Sequence, residues 1–151
     1  MTRIQLETFV AAPPGRVFDL ARDIGFHERS MARTGERAVG GRITGRIAAG
    51  ETVTLRARHF GRSWTLTTRI VEMSPPRRFV DEQLSGPFRR FRHVHAFVAA
   101  PGGTRVIDDW VHEAPFGPVG WLADRLVLAR HLRRLLIVRN AALKAEAEAP
   151  S

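Results

Sequence analysis

Apolar residues recur at helical spacing in the last part of the chain, over residues 118–147. The stripe consists of Val119, Leu122, Leu126, Ala129, Leu132, Leu136 and Leu143, widened by Leu135 and Val138. A period between three and four residues indicates an amphipathic α-helix. Pro118 suits the first helical turn, where its missing N–H would have no intrahelical partner. The pattern therefore predicts one long C-terminal helix whose apolar face needs a broad surface to cover it.

Segments upstream of this helix alternate between apolar and polar residues, which is typical of half-buried β-strands. The predicted strands are residues 3–10, 51–60, 63–73, 78–84, 88–99 and 104–113, with shorter strands at 37–39 and 42–47. Turn residues such as Gly61, Pro75 and Gly102 separate neighbouring strands. Such short connections imply antiparallel hairpins.

Two short helices are predicted between the first strand and the rest of the sheet, from residue 17 to near residue 23 and over residues 26–32. The order of elements predicts an α+β helix-grip fold, in which a curved antiparallel sheet of about six to seven strands wraps around the long helix. Where sheet and helix diverge, a cavity should remain between them. We expect one domain over residues 1–147, followed by a disordered tail at 148–151.

Short motifs are spread over the second half of the chain. They are Pro75 to Gln83, Gly86-Pro87-Phe88, His93 to Phe97, Thr104 to Asp108, and Pro115 to Gly120. Together with the order of elements, these motifs resemble bacterial SRPBCC proteins of the START/Bet v1-like superfamily, which include the polyketide cyclase/dehydrase-like group. The resemblance covers nearly the whole chain. It implies an internal pocket for a lipid-like, aromatic or polyketide-type molecule. The superfamily includes carriers, sensors, cyclases and membrane-associated lipid transfer proteins, so the fold alone does not choose a function.

The composition excludes several kinds of chemistry. The 151 residues, with 44% hydrophobic and 26% charged, suit one globular domain. The absence of cysteine excludes disulfides, thiol nucleophiles and thiolate metal sites. No apolar run reaches the length of a membrane span and the N-terminus lacks the apolar core of a signal peptide, so we expect a cytoplasmic protein.

The chain is strongly basic, with a formal net charge of +9 and a sequence pI near 11.6. Its 24 basic residues are all arginine except Lys144, and they are spread along the chain without an aromatic-rich recognition motif. This distribution favours a solvated surface over a nucleic-acid interface. Binding to an anionic membrane or to RNA is kept as an alternative, and the oligomeric state is left open.

Polar side chains are predicted on the inward faces of three neighbouring strands. Period-two alternation groups Phe91, His93, His95 and Phe97; Val106, Asp108, Trp110 and His112; and Phe79, Asp81 and Gln83. A carboxylate that is hydrogen-bonded to one ring nitrogen of a histidine fixes its tautomer and makes the other nitrogen more basic. General acid–base catalysis requires both effects. The candidate catalytic residues are His93, His95, Asp81 and Asp108. We favour the alternative in which these groups only satisfy one another. A metal site is the weakest interpretation, and neither a metal nor another cofactor is predicted.

The remaining predicted wall of the cavity is mostly apolar. The predicted ligand-binding residues are Leu55, His59, Trp64, Leu66, Phe79, Gln83, Phe91, His93, His95, Phe97, Trp110, His112, Leu122 and Leu126. Leu122 and Leu126 should form the floor, with the small Ala129 leaving room, and Trp121 could sit at the mouth. The sequence therefore predicts a protein that binds a small hydrophobic molecule. A cyclase/dehydratase-like enzyme is the alternative, so catalytic activity is left open and non-catalytic binding is favoured.

Overall fold

The computed structural model describes residues 1–150 and shows one antiparallel sheet wrapped around a C-terminal helix. The strands are β1 (Thr2–Val10), β2 (Arg37–Gly41), β3 (Thr52–His59), β4 (Arg62–Ser74), β5 (Arg78–Ser85), β6 (Arg90–Ala100) and β7 (Gly103–Glu113). They form a seven-stranded sheet in the order β1-β7-β6-β5-β4-β3-β2. From β2 to β7 each strand pairs with the next in the chain, and β1 is the edge strand beside β7. The predicted α+β helix-grip fold is confirmed.

Two helices, α1 (Pro14–Ala21) and α2 (Ile24–Ser30), follow the first strand, and a 3-10 turn leads on to β2. Asp23 begins α2 as its N-cap, since its carboxylate accepts a hydrogen bond from the N–H of Phe26 at 2.9 Å. The strand predicted at 42–47 is absent, and a single bridge between Asp23 and Arg46 replaces it. Gly45 has a positive φ of 74°, a backbone conformation that interrupts an extended strand.

The C-terminal helical segment is divided by a widened turn. It comprises α3 (Gly117–Ala123), a π-helical turn (Asp124–Leu128) and α4 (Ala129–Glu148). A π turn holds more residues than an α turn, so it rotates the preceding helix relative to the following one. As a result, the inward positions fall at every fourth residue: Gly120, Asp124, Leu128, Leu132 and Leu136. Within residues 1–150, no helix combines the length and the apolar character needed to span a bilayer.

The main hydrophobic core closes one end of the space between sheet and helix. Phe18 of α1 packs edge-on against Phe79 and Phe97, with ring centroids 5.7 and 5.4 Å apart. Leu143 of α4 and Val106 of β7 are fully buried in the same cluster. These side chains fill the space beneath α1. The open space lies beyond them and is bordered by Ile24 and His27 of α2 as well as by α4 and the π turn.

The C-terminus departs from the predicted tail at 148–151. The helix α4 continues to Glu148, whose carboxylate accepts a hydrogen bond from the N–H of Ala11 at 2.8 Å. Arg16 donates to the carbonyl oxygens of Ala147 and Ala149, at 2.8 and 3.1 Å. The end of the helix is therefore tied to the start of α1. Ser151, the last residue of the predicted tail, lies outside the described residues.

Candidate ligand cavity and its buried polar cluster

A cavity of about 670 Å³ lies between the concave face of the sheet and α4. Its volume falls within the range of small-molecule sites, roughly 300–1,000 Å³. The structure places these predicted residues at its wall: Leu55, His59, Trp64, Leu66, Phe79, Phe91, His93, His95 and Trp110, together with Asp81. The strand faces expected from period-two alternation are the inward faces of the structure. Contact of these side chains with a ligand stays a prediction.

Gln83 and Phe97, predicted to bind the ligand, have other roles in the structure. Gln83 closes the β5–β6 loop, because its side-chain amide donates to the carbonyl oxygen of Phe88 at 2.7 Å and accepts from the N–H of Phe88 at 3.2 Å. Phe97 belongs to the core at the α1 end. The two predictions were wrong for the same reason. An inward-facing residue does not reach the cavity when its side chain is bonded to a loop or packed in the hydrophobic core.

His112 lies behind the cavity wall. Its Nδ1 accepts a hydrogen bond from the indole N–H of Trp110 at 2.8 Å, and its Nε2 lies 2.8 Å from the carboxylate of Asp124. Asp124 also accepts a hydrogen bond from the hydroxyl of Thr2. This buried chain ties the π turn to β7 and β1, so His112 fixes the orientation of Trp110 instead of lining the cavity.

The floor of the cavity comes from α4, one turn beyond the predicted position. Leu122 and Leu126 are exposed, and Ala129 is not at the cavity wall. The π turn is the physical reason. It rotates α3 about the helix axis, so Leu122 and Leu126 do not face inward as they would on a continuous α-helix. The residues of the π turn and α4 at the cavity are Leu128, His131, Leu132, Leu135, Leu136 and Arg139.

Two histidine–carboxylate pairs stand side by side on the sheet at the inner end of the cavity. The register places His93 opposite Asp81 and His95 opposite Asp108. The hydrogen bonds run diagonally: His93 Nε2 lies 2.7 Å from Asp108 Oδ1, and His95 Nε2 lies 2.9 Å from Asp81 Oδ1. The two imidazoles are stacked with centroids 3.7 Å apart, and Phe79 stacks on His95 at 4.1 Å. Both rings are therefore held rigidly.

Asp108 is the centre of this cluster and has no solvent exposure. Besides His93, its Oδ1 accepts a hydrogen bond from Arg139 at 2.6 Å, and its Oδ2 accepts one from Asn140 at 2.7 Å. Asn140 also donates to the hydroxyl of Thr8 at 3.2 Å. A buried ion pair is tolerated when its remaining hydrogen-bonding sites are satisfied, and these contacts satisfy them.

The environment of the cluster determines its charges near neutral pH. Burial alone would raise the pKa of Asp108, but Arg139 and His93 hold it well below its usual range. Burial would likewise raise the pKa of Asp81, but the hydrogen bond with His95 holds it below its ordinary value. Burial and the neighbouring His93 lower the pKa of His95 to about 4, although Asp81 opposes this shift. His95 is therefore a neutral imidazole between two ionised carboxylates.

The cluster offers defined donors and acceptors to the cavity. An ionised carboxylate only accepts hydrogen bonds, so the proton of neutral His95 lies on Nε2, which faces Asp81. The Nδ1 atom of His95 is then an acceptor; it lies 3.8 Å from Asp108 Oδ1, beyond hydrogen-bonding distance. A ligand hydroxyl or an acidic C–H group would suit this nitrogen.

Three of these side chains could also hold a divalent metal ion. One ligand atom from each of Asp81, His93 and His95 lies within 4.8 Å of the others. Two imidazoles and one carboxylate form a familiar donor set for transition metals. Each imidazole, however, already has a carboxylate partner. An ion would have to replace those hydrogen bonds, so the geometry favours the hydrogen-bonded cluster.

A third histidine contact joins the two sides of the cavity mouth. His59, at the end of β3, places its Nδ1 2.9 Å from Nε2 of His131 on α4. Burial and the facing histidine lower the pKa of His59, and burial and Arg134 lower the pKa of His131. Phe60 covers His131, with ring centroids 4.6 Å apart. This contact is the only side-chain hydrogen bond found between β3 and α4 among residues 1–150.

Arg139 and Asn140 were not predicted as site residues, because the arginines of the chain were assigned to a solvated surface. A signal for them is present in the sequence. Leu136 and Leu143 are apolar and inward, and the helical period requires an inward residue between them. Arg139 and Asn140 occupy that position, and polar residues within an apolar stripe indicate a buried polar partner.

The fold and its internal cavity define the class of protein, the START/Bet v1-like helix-grip proteins of the SRPBCC superfamily. Within that class, residues 1–148 match the model of the family described as "Polyketide cyclase / dehydrase and lipid transport", and the chain belongs to this family. Among functionally curated proteins, none matches the sequence.

Solved structures share the fold at low sequence identity. TTHA0849 from Thermus thermophilus is 21% identical with a TM-score of 0.75, over 97% of this chain and 99% of its own. The Zhui aromatase/cyclase from Streptomyces sp. R1128 is 19% identical with a TM-score of 0.74, over 97% and 93%. The di-domain ARO/CYC BexL from the BE-7585A biosynthetic pathway is 15% identical with a TM-score of 0.80, over 99% of this chain and 51% of its own.

Proposed function

We propose that the protein binds a small hydrophobic molecule, lipid-like, aromatic or polyketide-like, that carries at least one hydroxyl or carbonyl group. The observation that carries this proposal is the composition of the cavity wall. Apolar and aromatic side chains make up most of the wall, and the buried His93/His95/Asp81 cluster forms a polar patch at one end. An apolar body would fill the cavity, and its polar group would bond to the cluster. The family description, which names both cyclases and lipid transport, supports the same class of ligand.

Native mass spectrometry of the purified protein, followed by denaturing extraction, tests this proposal first. A copurifying apolar compound in stoichiometric amount would identify the ligand class. If no compound is carried, the fluorescent probe 1-anilinonaphthalene-8-sulfonate and a panel of fatty acids and polycyclic aromatic compounds test the empty cavity. A protein that neither carries an apolar compound nor gains thermal stability from any of these probes would contradict the proposal.

Filling the cavity with a larger side chain should abolish binding of the same probe. Ala57 on β3 lies at the wall and is buried, so Ala57→Phe would place a ring in the cavity. We expect at least about a ten-fold loss of probe affinity, since each 1.4 kcal/mol corresponds to ten-fold. Ala141→Phe, on the exposed side of α4, is the matched control and should bind like the unmodified protein. Equal affinities for the two variants would place the probe elsewhere.

A cyclase/dehydratase-like activity is the second candidate, and the fixed orientation of His95 favours it, although a pKa of about 4 makes this imidazole a weak base at neutral pH. With Nε2 bonded to Asp81, its Nδ1 could accept a proton from a ligand carbon or hydroxyl and return it to a leaving hydroxyl. The test is turnover of a poly-β-ketone analogue by the H93Q/H95Q double variant, with binding of the same analogue as the control. Loss of about 100-fold or more in turnover with retained binding would support catalysis. Unchanged turnover would exclude a catalytic role for these histidines.

A further inference from the structure

We propose that the exposed apolar segment Phe116–Val127, beside the cavity mouth, docks the protein onto anionic lipid bilayers. The segment comprises α3, its preceding residue and most of the π turn. Such docking is distinct from ligand binding, because the cavity alone requires neither this surface nor a bilayer.

The segment exposes six large apolar side chains close together in the sequence. The exposed fractions are 83% for Phe116, 75% for Val119, 52% for Trp121, 52% for Leu122, 60% for Leu126 and 52% for Val127. Gly120 and Asp124 are its only buried residues. Single exposed apolar residues are ordinary, but a contiguous group marks an interaction surface.

Two exposed phenylalanines at this mouth have unfavourable backbone conformations. Phe116 has φ 70° and Phe60, on the β3–β4 turn, has φ 53°, both in the left-handed region. Glycine or asparagine is the usual residue there, and a bulky side chain adds steric cost. Both rings are exposed and both residues border the cavity. Since neither exposed ring is packed in the core, the strain points to a use at the surface.

The charges around the segment are positive. Arg125, Arg130, Arg133 and Arg134 are exposed on the same helical run, and Arg125 stacks over the ring of Trp121 at 5.1 Å. The only acidic residue from position 114 to 134 is Asp124, which is buried and bonded to His112. Glu113, just before this stretch, faces Arg90 at 4.0 Å. An apolar surface with tryptophan and leucine, flanked by arginine, is typical of helices that lie in an anionic membrane interface.

This pattern fits a bilayer better than the other partners. Two copies of the chain meeting through the segment would bring like charges together, which costs energy. Nucleic acid would pair with the arginines but would leave Val119, Leu122 and Leu126 in water. A bilayer satisfies both features at once, because acyl chains accept the apolar residues while phosphate groups pair with the arginines.

Docking through this segment would turn the cavity mouth towards the lipid. Phe116, which begins the segment, and Leu128, the residue that follows it, both lie at the cavity wall, as does Phe60 on the facing turn. An apolar ligand could then move between membrane and cavity with little exposure to water. This consequence rests on the proposed function, whereas the docking itself does not.

Co-sedimentation with vesicles tests the proposal. The probes are vesicles of phosphatidylcholine alone and of phosphatidylcholine with about 30% phosphatidylglycerol, at physiological ionic strength. We expect binding to the anionic vesicles, and a loss of at least about ten-fold in the L122E/L126E double variant, since charged groups resist insertion. Both positions are exposed, so this variant should keep the melting temperature of the unmodified protein.

The matched control is the I43E/V71E double variant, which adds the same charge at two similarly exposed apolar positions outside the segment. It should retain vesicle binding within about two-fold. Absence of vesicle binding, or equal binding by L122E/L126E and the unmodified protein, would overturn the proposal. A dimer in sedimentation velocity that L122E/L126E dissociates would overturn it in favour of a second copy. Probe binding measured without vesicles reports separately on the cavity, so the two proposals can fail independently.

Discussion

Replacing Asp108 with asparagine will lower the free energy of unfolding by about 3–5 kcal/mol, the loss typical of one partner removed from a buried ion pair. Asp108 has no solvent exposure, and Arg139, which donates to it at 2.6 Å, is also buried. Asparagine can still accept a hydrogen bond, but it leaves the guanidinium charge uncompensated in the interior. Urea unfolding at pH 7, followed by circular dichroism, measures the loss.

Asp109, the next residue along β7, provides the matched control. Its carboxylate pairs with Arg3 at 2.7 Å on the outer face of the sheet, where the arginine is largely exposed. Asp109→Asn should cost less than about 1 kcal/mol, because solvent screens surface ion pairs. If the two substitutions cost the same, the Asp108–Arg139 pair is not the buried charge centre that the structure indicates.

Acidification from pH 7 to pH 5 will lower the free energy of unfolding, with His95 as the main cause. The pKa of His95 falls to about 4 in the folded protein, against 6.5 as its ordinary value. Below pH 6.5, His95 is therefore protonated in the unfolded chain but stays neutral in the folded protein. The free energy of unfolding decreases as the pH falls towards 4. At about 1.4 kcal/mol per pH unit, the loss is about 2 kcal/mol at pH 5. Chemical unfolding at successive pH values measures the slope.

Two substitutions separate the contributions to this slope. His95→Gln keeps a donor for Asp81 and should flatten the dependence between pH 7 and 5. Burial lowers the pKa of His27, but the carboxylate of Glu36, 2.8 Å away, raises it by more than burial lowers it. The net shift of the His27 pKa is therefore upward. The stabilisation from His27 is complete below pH 6.5 and is lost as the pH rises through its folded pKa, so His27→Gln should steepen the acid loss. An unchanged slope in His95→Gln would show that other groups cause it.

Most of the fold could be predicted from local pattern. Strict alternation of apolar and polar residues identified six strands within two residues at either end, because each strand has one buried and one outer face. The inward faces followed from the same alternation, since a shift of the pleat by one residue would turn His93 and His95 outward. The strand predicted at 42–47 was wrong because Gly45, with a positive φ of 74°, bends the backbone in the middle of the segment.

The candidate site could be predicted in part. The alternation brought His93, His95, Asp81 and Asp108 to one face, and the structure pairs them. It could not show that Asp108 faces Arg139 and Asn140, because that contact joins β7 to α4 across 31 and 32 positions of sequence. The floor was misplaced for a similar reason. The π turn depends on the tertiary bonds from Asp124 to Thr2 and His112, and no local spacing encodes them.

The sequence by itself determined most of the elements, their inward faces and the α+β helix-grip class, since these depend on period and turn chemistry within a few residues. Only the tertiary structure decided which inward residues reach the cavity, which charges are buried together and how the C-terminal helix is phased. Those features depend on contacts between distant segments. The apolar segment Phe116–Val127 shows the difference clearly: its residues have the spacing of a buried stripe, and the π turn places them at the surface beside the cavity mouth.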